Sequence, residues 1–170
     1  CRHLADAGAK LVIADPDPVR RDRLRAILDA QVVGVDEIAT VEADVFAPCA
    51  LGGIINDDTL SRLKVEVIAG GANNQLAENR HGVELEKKGM IYAPDYVING
   101  GGVINVYGEL QCWTMDRGKR KAQEIYDTIL RVFSIAERDK IPSFEAADSL
   151  AAERTASVAA LKDMWLAGDR

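Results

Sequence analysis

Hydrophobic and polar positions alternate along the chain in two rhythms. Leu11 to Ala14 form a short continuous apolar run closed by Asp15. The segment "PDPVRRDRLRAILDA" then spaces Val19, Leu24, Ile27 and Leu28 as one helical face, so the pattern predicts a buried strand followed by an amphipathic helix. Further strands are predicted at Val45 to Cys49, Val65 to Ala69 and Met90 to Ala93. Helices are predicted at Asn56 to Leu63, capped by Asn56 or Asp57, and at Gln75 to Lys88. Such alternation defines an α/β class with a mostly parallel sheet and helices on its faces. Beyond Gly102 the strand signal stops. Ile125, Ile129, Val132, Phe133 and Ala136 make one helical stripe, and Pro142-Ser143 opens a further helix carrying Leu150, Val158, Leu161 and Trp165. The expected division is therefore a sheet-bearing part, 1–112, and a helical part, 113–170.

The first eight residues, "CRHLADAG", read as the last turns of a helix ending at Gly8. With no initiating Met and no targeting pattern, a piece of a longer protein is expected.

Composition removes several classes of function. In 170 residues the formal charge is −6, with 28% charged and 48% hydrophobic content, which suits a globular domain. Lys and Arg are interleaved with Asp and Glu, as on solvated helix faces, so nucleic acid is not an expected partner. No apolar run is long enough to span a bilayer, so no membrane association and a cytoplasmic location are expected. Cys1, Cys49 and Cys112 are odd in number and far apart, as reduced thiols would be. His3 and His81 have no partner at metal-ligand spacing, and no metal site is expected.

In a doubly wound sheet the ligand crevice lies beyond the carboxyl ends of the strands. The unusual residues collect there: Asp15, then "APCALGG", "GGANNQ" and "NGGG". Small residues let a flat ligand approach the backbone, and Asp15, Asn73, Asn74 and Asn99 offer fixed donors and acceptors. An acidic residue ending a strand of a dinucleotide-binding unit commonly accepts from the adenosine ribose hydroxyls and repels a 2'-phosphate, which points to NAD over NADP. Plainer readings stand beside these. Asp15 is also a turn or N-cap residue before Pro16, Asn73-Asn74 a helix cap, the triple glycine a tight turn, Cys49 a small buried hydrophobe and His81 a surface or packing residue.

Four stretches together, "DVFAPCALGGIINDDTL", "VIAGGANNQLAENRHG", "YAPDYVINGGGVINV" and "EIYDTIL", resemble the leucine dehydrogenase branch of the glutamate, leucine, phenylalanine and valine dehydrogenases. The resemblance runs from Asp15 to about Asp148. It implies a Rossmann-type doubly wound sheet without its first strand and Gly-rich turn, followed by C-terminal helices that pack toward an N-terminal domain. By the same resemblance, Asp15 is the ribose carboxylate, and Pro48, Cys49, Ala50 and Leu51 pass the adenosine. Ala72 and Asn74 lie near the nicotinamide ribose and the substrate amino group, and Asn99 adjoins the nicotinamide. Gly100 stands where the family has Ala. Val103 and Val106 match positions lining the side-chain pocket, and branched aliphatics there favour Leu, Ile or Val.

The family's catalytic lysines and aspartate lie in the N-terminal half, so no catalytic residue is expected in this chain. The reaction implied is NAD-dependent oxidative deamination of branched-chain L-amino acids, in which L-leucine gives 4-methyl-2-oxopentanoate and ammonia, carried out by a homo-oligomer. A valine or phenylalanine dehydrogenase, or a noncatalytic nucleotide-binding module, is the alternative. In the family's strand order 3-2-1-4-5-6, a chain without the central first strand is expected to form two sheet pieces. It is expected to be unstable alone and to leave some apolar faces among Ile125, Ile129, Phe133 and Trp165 short of partners.

Overall fold

The computed structural model describes residues 1–166, with side chains to residue 160. Five strands fall into two sheets. β1 (Val12–Ile13) pairs in parallel with β2 (Gln31–Val32), and β3 (Glu42–Phe46), β4 (Lys64–Ile68) and β5 (Ile91–Tyr92) follow one another in a second sheet, with β4 and β5 parallel. The expected division into two sheet pieces is observed, one of two strands and one of three. The helices are α1 (Arg2–Asp6), α2 (Pro18–Leu28), α3 (Asp57–Arg62), α4 (Asn79–Lys87), α5 (Asp95–Ile98), α6 (Gly101–Leu110), α7 (Met115–Asp139) and α8 (Ser143–Leu166). None among the described residues is long and apolar enough to cross a membrane.

Two compact units share the chain: Cys1–Ala43 with Ser61–Lys64, and Asp44–Leu60 with Val65–Arg170. In the first, α2 starts as its sequence dictates. Asp17 Oδ1 accepts the amide hydrogens of Val19 and Arg20, and Pro18 occupies the first helical position, where its missing N–H costs nothing. The helix forms, but no residue of it is buried. Val19 is 73% and Ile27 53% exposed, while Leu24 and Leu28 are half-buried, so the expected apolar face is only partly covered. β2 was not predicted, because "QVVGV" is too short and too interrupted by glycine to carry a strand signal.

The second unit holds the main core. Ala93 at the end of β5, Ile129 and Val132 of α7, and Ala146, Ala147 and Leu150 of α8 are buried together, with Val97, Ile98 and Phe133 packed against them. The alanines let α7 and α8 approach closely, and the stripe read from the sequence is the face they share. Ile129 and Phe133 have partners, which α8 supplies within the same chain. Ile125 is half-buried, Val158 is 66% exposed, and Leu161 and Trp165 lie outside the residues whose side chains are described.

Two elements depart most from the predicted bounds. β3 runs from Glu42 to Phe46 rather than Val45 to Cys49; its pairing closes with the Ala69 amide donating to Phe46 O, and Pro48 has no N–H to extend the ladder. Helix α4 starts at Asn79 instead of Gln75. Gln75 to Ala77 are extended because the Ile55 amide donates to Gln75 O and Ile55 O accepts the Ala77 amide, on either side of the Ile55–Leu76 bridge. α5 and α6 begin from Pro94 and Gly100 and lead directly into the candidate site.

Candidate functional site

In the second unit the loops after β3 and β4 are fastened to each other through their backbones. The Ala72 amide donates to Pro48 O at 3.0 Å, Gly53 to Asn74 O at 2.7 Å, and Ile55 to Gln75 O at 2.9 Å. Glycine makes this approach possible. A Cβ on Gly70 would lie 2.0 Å from Pro48 O and 2.4 Å from Pro48 N, and one on Gly52 would lie 2.7 Å from Asn73 O. Gln75 is wholly buried and holds the turn from within, its Nε2 donating to Gly70 O at 2.6 Å and Ala72 O at 3.0 Å.

That fastening decides which groups face outward. Pro48 and Ala72 are buried, and Ala72 uses both backbone groups inside the protein. Cys49, Ala50, Leu51 and Asn74 are exposed, Leu51 at 81%. Cys49 is therefore not the buried hydrophobe of the plainer reading; its loop carries it outward, with Sγ 3.5 Å from the Gly71 amide. Cys1, Cys49 and Cys112 are free thiols. Asn73 and Asn74 do not cap α4, whose cap is Glu78. Asn74 instead takes a left-handed backbone, φ +53°, a conformation that asparagine tolerates better than most residues.

Asn99 ends α5 and reaches back to this loop, its Nδ2 donating to Asn73 Oδ1 at 2.5 Å. Gly100 has φ −62° and starts α6, and Gly101 and Gly102 are helical, so the triple glycine is a helix entry and not a tight turn. A Cβ on Gly101 or Gly102 would meet nothing within 4 Å. Nothing in this chain's own packing requires those two glycines. Val103 and Val106 follow on α6, exposed at 75% and 59%.

Asp15 belongs to the first unit. Its Oδ1 accepts the Asp17 amide at 2.8 Å, so it closes a turn before α2, whose cap is Asp17. It also lines a cavity of about 520 Å³ with Arg20, Arg23 and the apolar Leu24, Ile27 and Leu28.

Asp95 and Tyr92, given no role from the sequence, complete the second unit's site. Asp95 is 6% exposed; Oδ2 accepts the Asn74 amide at 2.8 Å and Oδ1 accepts the Tyr92 hydroxyl at 2.6 Å. Burial first, and then the Asp95 carboxylate, hold the Tyr92 phenol far above the usual tyrosine range, so it remains a donor. His81, 1% exposed, is a packing residue whose Nδ1 accepts the Glu78 amide at 3.1 Å. Asp95 was hidden because Pro-Asp reads as a corner; the signal was Tyr92 three residues earlier. Among the described residues no group of three or more His, Cys, Asp or Glu side chains could hold a metal ion.

A strand-and-helix alternation with glycine-rich loops at strand ends and amide side chains gathered beside them defines an α/β protein whose candidate site lies at the carboxyl ends of its strands. The chain belongs to the glutamate/leucine/phenylalanine/valine dehydrogenase family, whose model matches residues 19–162. It is 52% identical over its whole length to leucine dehydrogenase of Thermoactinomyces intermedius, and 52% identical over 154 residues, 91% of the chain, to that of Geobacillus stearothermophilus. It spans less than half of these relatives, 46% and 42% of their lengths. The crystal structure of L-tryptophan dehydrogenase from Nostoc punctiforme superposes with a TM-score of 0.89 at 42% identity, over 91% of this chain and 46% of that one.

Proposed function

We propose that this chain is the NAD-binding part of a leucine dehydrogenase, a cytoplasmic homo-oligomer that oxidatively deaminates branched-chain L-amino acids to 2-oxo acids and ammonia. The observation that carries this reading is the open face of Gly101 and Gly102 beside the linked Asn73 and Asn99, in a chain of this family. Glycines that no neighbouring atom requires suit a face kept clear for a flat ring, and the amides supply donors and acceptors at its edge.

The residues fit a dinucleotide in both units taken separately. In the first, Asp15 with its apolar cavity suits a ribose and an adenine. In the second, the exposed Cys49, Ala50 and Leu51, with Pro48 fixed behind them, suit the adenosine side, and Ala72, Asn74 and Asn99 the nicotinamide side. Bound NAD would supply the hydride acceptor. The chain's own contribution is to orient: Asn74 toward the substrate amino group, Val103 and Val106 toward its hydrocarbon tail. The proton-transferring groups belong to the remainder of the enzyme, toward which the helical part 113–170 would pack.

NAD-linked oxidation of L-leucine, L-valine, L-phenylalanine and L-tryptophan by the natural full-length protein tests this. Best turnover with a branched substrate is expected. Best turnover with an aromatic one would reassign the substrate, and NAD binding without any turnover would leave a nucleotide-binding module in place of an enzyme.

A further inference from the structure

Asn74 combines an exposed side chain with a backbone clamped at both ends. Its carbonyl accepts the Gly53 amide at 2.7 Å, and its own amide donates to the buried Asp95 carboxylate at 2.8 Å. Between these two bonds the residue sits at φ +53°, a left-handed conformation that asparagine tolerates and that the two bonds fix. Asp95 is itself fixed, by the Tyr92 hydroxyl at 2.6 Å and by its place at the start of α5, the helix that ends in Asn99. One short helix therefore carries the anchor of Asn74 at its first turn and the partner of Asn73 at its end.

We propose that Asp95 is a positioning residue for the dehydrogenase site: its buried carboxylate fixes the Asn74 peptide so that the Asn73 and Asn74 side chains are held in register with Asn99. This deepens the function proposed above and rests on it. Asp95 does not touch the ligand in this scheme. A carboxylate suits the task better than an amide because it accepts from both donors at once, and a charge-assisted bond is the stronger. An asparagine at this position could accept the Asn74 amide only by turning its NH₂ toward the Tyr92 oxygen or away from it.

The test compares wild-type full-length enzyme with Asp95→Asn and, as a milder second variant, Tyr92→Phe, which removes one support of the carboxylate. Hydrogen exchange of the peptide containing Asn74 is measured together with kcat, KM for the amino acid and Kd for NAD. Loss of the charge-assisted bond should speed Asn74 exchange about tenfold and lower kcat about tenfold, with NAD affinity changed by less than about threefold. Tyr92→Phe should move the same quantities in the same direction by less. Unchanged exchange at Asn74, or unchanged kcat and KM in Asp95→Asn, overturns the positioning role. A uniform fall in Tm and NAD affinity without a selective loss of kcat also overturns it, since that is what a merely structural carboxylate would give. A wild-type enzyme with no dehydrogenase activity overturns the function itself and the role with it, and is told apart from the other failures because the wild type alone shows it.

Discussion

Arg80 holds the Asp57 carboxylate with two hydrogen bonds of 2.7 Å, one from each terminal guanidinium nitrogen. The same carboxylate lies 3.2 Å from His81 Nε2, and His81 Nδ1 accepts the Glu78 amide, so the imidazole hydrogen belongs on Nε2, where it donates to Asp57. Asp57 thus ties the start of α3 to the start of α4.

This tie should be visible in acid. The Arg80 hydrogen bonds are the main reason that the Asp57 carboxyl is lowered from 3.8 to about 2, and Arg80 also lowers Glu78. A carboxyl lowered on folding stabilises the native state above its unfolded value and loses that contribution as pH falls through its folded value. The urea midpoint should therefore decline between about pH 4 and about pH 2, and Arg80→Met should flatten that part of the profile. Both groups are exposed, so the effect is small and should shrink further in salt.

Two glycines should behave oppositely. Gly70→Ala would push a Cβ to 2.0 Å from Pro48 O, against backbone that cannot swing aside, and should cost about 3 kcal/mol or more in urea unfolding. Gly101→Ala meets nothing within 4 Å and lies in a helix, where alanine is favoured by up to about 1 kcal/mol. Its stability should hold or rise while NAD-linked turnover falls. Equal activity in Gly101→Ala would remove the reason given for that open face.

Asp15→Asn keeps an oxygen for the Asp17 amide and so keeps the turn, but removes the charge. Affinity for NAD should fall about tenfold, or about 1.4 kcal/mol, and the preference for NAD over NADP should narrow. Calorimetric titration with each nucleotide measures both quantities. An unchanged preference would reduce Asp15 to a turn residue.

Val103→Ala and Val106→Ala change exposed positions, so folding stability should shift by no more than about 0.5 kcal/mol. The ratio of kcat/KM for L-phenylalanine to that for L-valine should rise, with each enlarged pocket worth about 1–3 kcal/mol of discrimination.

Local pattern was legible where local forces decide. The α7 stripe through Ile129 and Val132 and Gly8 at a positive φ after α1 lie where short-range rules put them. Gln75 to Ala77 were misread because their extended form depends on Ile55, some twenty residues away, and no helical period reveals such a pairing. Asp95 escaped for a related reason: its burial comes from Asn74 and Tyr92 closing over it, while the sequence shows only an acid after a proline. The exposure of Val19 and Ile27 was equally hidden, since periodicity identifies an apolar face but not whether anything covers it.

β3 ends its sheet with Glu42 to Val45 exposed and Val45 half open to water. Such an edge is a template. Polypeptides carrying it uncovered would add to one another strand by strand, and the chain's concentration would then govern its fate as much as its sequence does. A shielded β3 would therefore separate dispersed chains from aggregate, and Glu42 and Asp44, the two acids of that strand, are the residues whose like charges oppose such stacking.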